Sequence, residues 1–157
     1  MNRFFLHLSW SAALALCWLP SATAKEPLTV GGLHGGLVVQ IGSDDAELAA
    51  NLSDTGRYLV HLLDTDRTTT TKAQSFLRSH GIYGLAFAET LKDPSHLPYS
   101  ENVVDAVLLR ESGQAPLSEA FRILVPRGYL LVSAKAKLTT DQVKTAGFTN
   151  LKPNGKG

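Results

Sequence analysis

The chain has 157 residues, 44% hydrophobic, 8% aromatic and 18% charged, with 15 lysines and arginines against 14 aspartates and glutamates. That length suits one compact domain, the balanced charge argues against a general polyanion-binding surface, and the composition fits neither disorder nor collagen. A single cysteine cannot form an internal disulfide.

Residues 1–24, MNRFFLHLSWSAALALCWLPSATA, read as a secretory signal: Arg3 precedes an apolar stretch from about Ser9 to Leu19. Pro20 ends that run, and Ala22-Thr23-Ala24 supplies the small residues a signal peptidase needs, predicting cleavage after Ala24. The stretch is too short for a comfortable membrane span. Bulky Leu16 disfavours lipid attachment at Cys17. Cleavage removes Arg3, Cys17 and no acid, so the mature chain is charge-balanced and free of cysteine. The expected location is secreted or periplasmic, without a mature membrane span.

Residues 25–36 contain four glycines and predict an irregular lead-in. A first strand is expected at Leu37–Ile41 and a helix at Ala46–Leu52, with Asp44 as its cap and Glu47 completing a capping box. A strand at Tyr58–Leu63 and a helix at about Thr70–Ser79 follow. Ala73, Phe76, Leu77 and His80 form the helix's expected buried face, and Gly81 its stop. Ile82–Phe87 predicts a third strand, Val103–Leu109 a fourth and Tyr129–Ala134 a fifth. Between the third and fourth lies only Lys92–Asn102, with two prolines, which reads as an active-site loop.

Pro116–Val125 predicts the helix before the fifth strand, with Leu117, Ala120, Phe121 and Leu124 on one stripe and Pro126 ending it. Thr140–Ala146 predicts a last short helix, and 152–157 a flexible tail. Alternating strands and helices with near-continuous apolar strands imply a mostly parallel sheet covered on both faces.

In such a sheet, ligands bind beyond the carboxyl ends of the strands. Gly42 follows the first strand, where the missing side chain permits a tight turn and close approach by a cofactor. Asp64 follows the second, where a carboxylate can accept two ribose hydroxyls. Aspartates also cap helices and shape turns, and that alternative stands for Asp64 and Asp66.

The order of these pieces resembles the class I S-adenosylmethionine-dependent methyltransferases. Leu37-Val38-Val39-Gln40-Ile41-Gly42 is similar to the family's first strand and cofactor turn, and Leu62-Leu63-Asp64-Thr65-Asp66 to its ribose-binding strand end. Asp93-Pro94-Ser95-His96-Leu97-Pro98-Tyr99, running on to Asn102–Val107, resembles its adenine-side loop entering strand four. Glu119–Gly128 resembles its helix and turn before strand five, and Ala146-Gly147-Phe148 a later turn. The resemblance covers roughly Leu37–Phe148 and implies a shortened Rossmann-like methyltransferase domain over 37–151. It implies S-adenosylmethionine as cofactor, with Gly42 near its methionine end, Asp64 on the ribose hydroxyls, and Asp93 and Leu97 flanking adenine. Asp105 would support the loop and fourth strand, and Glu119, Arg122 and Gly128 would be architectural.

The chain also departs from the family pattern. Asp44 stands where the turn normally repeats glycine, Arg127 replaces a glycine before Gly128, and the usual final strands are missing or shortened. Gly31–Gly36 and Lys152-Pro153…Gly155 further resemble the borders of methyltransferase-like modules in exported quinoprotein-type proteins, implying a detached or degenerate accessory module. Two functions therefore stand open: methyl transfer to a small molecule, and a non-enzymatic envelope-interaction module built on the same fold.

No catalytic constellation emerges. Of the mature histidines His34, His61, His80 and His96, the last is the best-placed base, and the four make no metal-spacing motif. Gly42-Ser43 lacks a nucleophile-elbow pattern, and Gly31-Gly32 with Gly35-Gly36 lacks the lysine ending of a phosphate loop. Nothing points to nucleic acid.

Overall fold

The computed structural model describes residues 29–111 and 113–152. The expected signal segment, the first residues of the lead-in and the end of the tail lie outside the described residues.

Five strands form one sheet in the order β3-β2-β1-β4-β5, every neighbouring pair parallel. They are β1 Gly36–Ile41, β2 Tyr58–Asp64, β3 Ala86–Thr90, β4 Val104–Leu109 and β5 Leu124–Val132. Helices α1 Ala46–Ser53 and α2 Arg67–Ser79 follow β1 and β2; α3 Leu117–Ile123 precedes β5, and α4 Thr140–Thr145 follows it. Chain order thus runs outward from β1 to β3, then crosses to β4 and β5. The topological switch point lies between β1 and β4.

Alternation along the strands divides the core into two layers. Val38, Val60, Leu62, Ala86, Ala88, Ala106 and Leu108 face α1 and α2, meeting Ala49, Leu52, Ala73 and Leu77. Val39, Ile41, Leu63, Val107 and Leu109 face the other way, onto Leu91, Leu97, Ala120 and Ile123. This is the mostly parallel, Rossmann-like α/β architecture expected from sequence.

Several boundaries differ from expectation. α1 is capped by Asp45, whose Oδ1 accepts from the Leu48 amide at 3.0 Å, so the predicted box of Asp44 and Glu47 does not form. α2 starts three residues early because Asp66 accepts from the Thr68 and Thr69 amides, a cap that outweighs the poor helix propensity of the threonine run. His80 is exposed rather than part of the helix's buried face, its Nδ1 lying 2.9 Å from the Phe76 carbonyl.

β3 lies at Ala86–Thr90 rather than Ile82–Phe87. Ile82 is spent on the turn closing α2: its amide donates to Leu77 and its carbonyl accepts from Leu85 and Ala86. Ala86 and Ala88 then point inward while Phe87 and Glu89 point out. β5 begins five residues early, because Leu124 is already extended at φ −72° and ψ 135°. α3 consequently buries Ala120 and Ile123, and Phe121 is 49% exposed. Within β5, Pro126 and Arg127, the latter at φ +69°, shift the register against β4 between Val104 and Ala106.

Asp105 supports the sheet's other end: its Oδ2 accepts from the Leu37 amide at 2.8 Å, tying β4 to the start of β1. The lead-in packs beside it, with Val30 buried and the Tyr58 hydroxyl donating to the Leu33 carbonyl at 2.5 Å.

Candidate functional site

The carboxyl ends of β1 and β2 meet directly. Gly42 turns at φ +95°, where a side chain is strained, and its amide donates to the Leu63 carbonyl at 2.8 Å. The next amide, of Ser43, donates to Asp64 Oδ2 at 2.7 Å, and the Ser43 hydroxyl donates to the same oxygen at 3.0 Å. Asp64 Oδ1 accepts from the Asp66 amide at 2.8 Å. Asp64 is only 3% exposed. Three protein donors already hold its carboxylate, which has roughly four lone-pair positions, leaving capacity for about one further donor.

Beneath the turn, Gln40 is fully buried, and its Nε2 donates to the carbonyls of Gly42 at 2.9 Å and Asp45 at 3.1 Å. Its Oε1 has no donor among the described residues. A buried acceptor without a partner is unusual, and it sits directly under the candidate cofactor turn.

Four charged side chains lie over the switch point. Asp44 Oδ2 is 2.9 Å from Lys135 Nζ and its Oδ1 is 3.5 Å from Arg110 Nε, while Asp45 Oδ2 is 2.9 Å from Arg110 Nη2. Partial burial works against ionisation of Asp44, but the Lys135 hydrogen bond and the Arg110 charge outweigh it and hold the carboxyl below its usual range. The Asp44 charge is therefore already countered by this chain's own cations. The β-carbon position of Gly42 would come within 3.0 Å of Arg110 Cβ, so a side chain there would meet Arg110.

Asp93 and Leu97 lie in the loop after β3, and no hydrogen bond among the described residues joins them to Gly42 or Asp64. Asp93 is exposed, with Oδ1 accepting from the Ser95 hydroxyl at 2.6 Å and amide at 2.9 Å; those bonds lower its pKa. Leu97 is fully buried in the layer that contains Val39, Leu63 and Ile123.

The loop is clamped by α3. Glu119 Oε2 accepts from the Leu97 amide at 2.8 Å, and Arg122 donates to the carbonyls of Tyr99 at 2.8 Å and Leu97 at 3.1 Å. The two side chains pair at 2.7 Å. The Arg122 hydrogen bond above all lowers the Glu119 pKa to about 2. Glu119 and Arg122 thus fasten the loop to α3. His96 Nδ1 lies 3.4 Å from Glu119 Oε2 on an exposed ring.

A second tie runs from the loop to β2, where His61 Nδ1 pairs with the Tyr99 hydroxyl and the His61 ring stacks on Phe87 at 3.9 Å between centroids. His61 Nε2 has no hydrogen-bond partner among the described residues and lies 3.6 Å from Glu89 Oε2. Burial lowers the His61 pKa to about 4 and, with the Glu89 charge, pushes the Tyr99 hydroxyl up.

Among the described residues, no group of three His, Cys, Asp or Glu side chains could hold a metal, and no helix is long and apolar enough to cross a membrane. A cavity of about 550 Å³ is lined by Thr140, Lys144 and Phe148–Leu151, and a smaller one of about 130 Å³ lies beside Leu48, Arg110 and Leu131. Neither is lined by Gly42, Asp64, Asp93 or Leu97.

Sequence reasoning missed Gln40, Arg110 and Lys135. The end-of-strand rule that selected Gly42 and Asp64 applies equally to Arg110 after β4 and Lys135 after β5, and would have found them. The partners of Glu119 and Arg122 are loop backbone atoms, which leave no mark in residue spacing.

A parallel sheet in this order, with a glycine turn after β1 and an acid ending β2, is a Rossmann-like α/β fold, and solved structures of methyltransferase fold share it. Comparison with solved structures finds that fold repeatedly. The [4+2]-cyclase SpnF matches with a TM-score of 0.63 at 17% identity, over 75% of this chain and 53% of its own. An S-adenosylmethionine-dependent methyltransferase from Aquifex aeolicus matches at 0.57 and 17% identity, over 72% of each chain. The geranyl diphosphate C-methyltransferase of Streptomyces coelicolor matches at 0.55 and 16% identity, over 64% of this chain and 41% of its own. The chain spans about half the length of the cyclase. At these identities the likeness establishes the fold alone. No family model and no curated protein matches the chain.

Proposed function

We propose that this protein binds S-adenosylmethionine at the carboxyl edge of β1 and β2 and transfers its methyl group to a small molecule. The observation that carries this reading is the meeting of the Gly42-Ser43 turn with the Asp64 carboxylate at 2.7 Å beside the switch point. Asp64 retains acceptor capacity for a ribose hydroxyl, and Gly42 supplies a turn without a side chain. Those features fit the cofactor, with the exposed Asp93 on the loop assigned to its adenine side and the wholly buried Leu97 anchoring that loop to the core. When bound, the cofactor supplies an electrophilic methyl group. This chain's residues would contribute position above all: the buried Asp64 fixes the turn, and the α3 clamp fixes the loop.

The test is calorimetry of the purified chain with S-adenosylmethionine. Saturable binding that Asp64→Asn weakens is expected; absence of binding by the folded protein defeats the reading. Asp64→Ala is the poorer variant because it strips acceptors from three buried or half-buried donors as well as from the ligand.

A second reading is supported by the Asp44–Arg110–Lys135 ion pairs over the switch point and by the place of β5 at the edge of the sheet among the described residues: a non-catalytic module that binds an envelope protein. The narrower kinship to exported quinoprotein-type modules rests on the border residues alone. One matched protein is named for a [4+2] cyclisation, which supports treating fold and methyl transfer as separable. Export remains part of the proposal, resting on residues 1–24. Mass spectrometry of the mature amino terminus should find Lys25 first, and an intact Met1 in exported material would refute processing.

A further inference from the structure

We propose that Arg110 and Lys135 form a carboxylate-binding subsite at the switch point, and that Asp44 of this chain is its resting occupant. The proposal rests on the cofactor reading above, since S-adenosylmethionine carries one carboxylate, on its amino-acid end.

Position comes first. Asp44 follows β1, Arg110 follows β4 and Lys135 follows β5, so the three side chains converge from three strand ends on the edge where open α/β sheets take ligands. The Arg110 amide donates to the Ile41 carbonyl at 2.9 Å, fixing the base of that side chain against β1.

The two acids then hold Arg110 unequally. Asp45 is anchored at both oxygens, one capping α1 at the Leu48 amide and the other 2.9 Å from Arg110 Nη2. Asp44 caps nothing; it reaches Arg110 Nε at only 3.5 Å and otherwise depends on Lys135, whose side chain is 62% exposed. Exposed pairs of this kind are weak, so Asp44 can leave while Asp45 keeps the guanidinium oriented. Its departure converts a neutral cluster of two acids and two bases into one with an unmatched positive charge. A ligand carboxylate is the chemical equivalent of the group that left.

A carboxylate-bearing ligand must therefore displace Asp44, whereas a ligand lacking the amino-acid end need not. The experiment compares S-adenosylhomocysteine with 5′-methylthioadenosine, which shares the adenosine thioether but carries no carboxylate. Calorimetry is run on the full chain and on Asp44→Asn and Asp44→Gly, with thermal melting to confirm folding. Both variants should tighten S-adenosylhomocysteine by about tenfold and leave 5′-methylthioadenosine within about twofold. Adding Lys135→Met to Asp44→Gly should take most of that gain away. If the variants shift both ligands equally, or neither, the subsite is overturned while cofactor binding stands. If neither ligand binds any folded variant, the cofactor reading falls and the subsite falls with it.

Discussion

The turn after β1 and the loop after β3 are held in different ways. The turn is secured from below by buried polar groups: Asp64 on the Ser43 and Asp66 amides, and Gln40 on two carbonyls. Its charged cover of Asp44 and Lys135 is partly exposed. The loop instead buries Leu97 and fastens its backbone to the Glu119–Arg122 pair, with the Tyr99–His61 contact as a second tie. Geometry in the turn thus depends on neutral and charge-assisted bonds out of water, where they are strong. Geometry in the loop depends on apolar packing and on groups that titrate. The two halves of the candidate site should therefore respond to different perturbations.

Leu97→Ala is the hardest blow to the loop. A fully buried leucine truncated in a layer with Val39, Leu63 and Ile123 should lose about 2–5 kcal/mol of stability in denaturant titration. A loss below about 1 kcal/mol would mean that the loop is not packed into the core.

Acid should reach the loop next. The His61 pKa falls from 6.5 to about 4 on folding, so the unfolded chain takes up the proton first and stability declines as pH drops from about 6.5 to about 4. The full effect is on the order of 3 kcal/mol. Glu119 adds a second decline between about 4.5 and 2, because its folded pKa is depressed and its stabilisation is lost as it protonates. Stability measured against pH should lose the upper step in His61→Phe and keep the lower one; an unchanged profile would remove His61 from the account.

The turn is the target of Asp64→Asn, which keeps the shape but replaces one carboxylate oxygen with an NH2, so that either the Ser43 or the Asp66 amide faces a donor. A loss of about 1–3 kcal/mol is expected, with faster hydrogen exchange at Ser43 and no change at Leu97. Equal loosening of both amides would show that turn and loop are one unit. Smallest of all, Lys135→Ala should change stability by less than about 1 kcal/mol, since it breaks only an exposed pair.

Much of the fold was legible in the sequence because it rests on periodicity. The apolar runs at Leu37–Ile41, Tyr58–Leu63 and Val103–Leu109 located three strands to within a residue at either end, and the order of elements carried the sheet topology. Errors arose where one local signal competed with another. Ile82–Leu85 has the composition of a strand but is consumed in closing α2, and Leu124 continues the α3 stripe in sequence while belonging to β5. Asp44 and Asp45 are equally good caps on paper; Lys135, distant in sequence, takes the first, while the second serves both the helix and Arg110. At the candidate site, the glycine and acid at the strand ends were visible, but the fact that the acid binds the glycine's own turn was not. That fact depends on the β1–β2 register, which sets Ile41 opposite Leu63.

The Pro126–Arg127 break in β5 has a consequence for how the molecule behaves in company. A foreign strand trying to zip along this flank would find no amide at Pro126 and a left-handed kink at the next residue. Only the stretch Tyr129–Val132 offers it a regular rung pattern. Such a short run is a poor template for strand pairing, so the irregularity makes this edge of the sheet a weak partner for another chain.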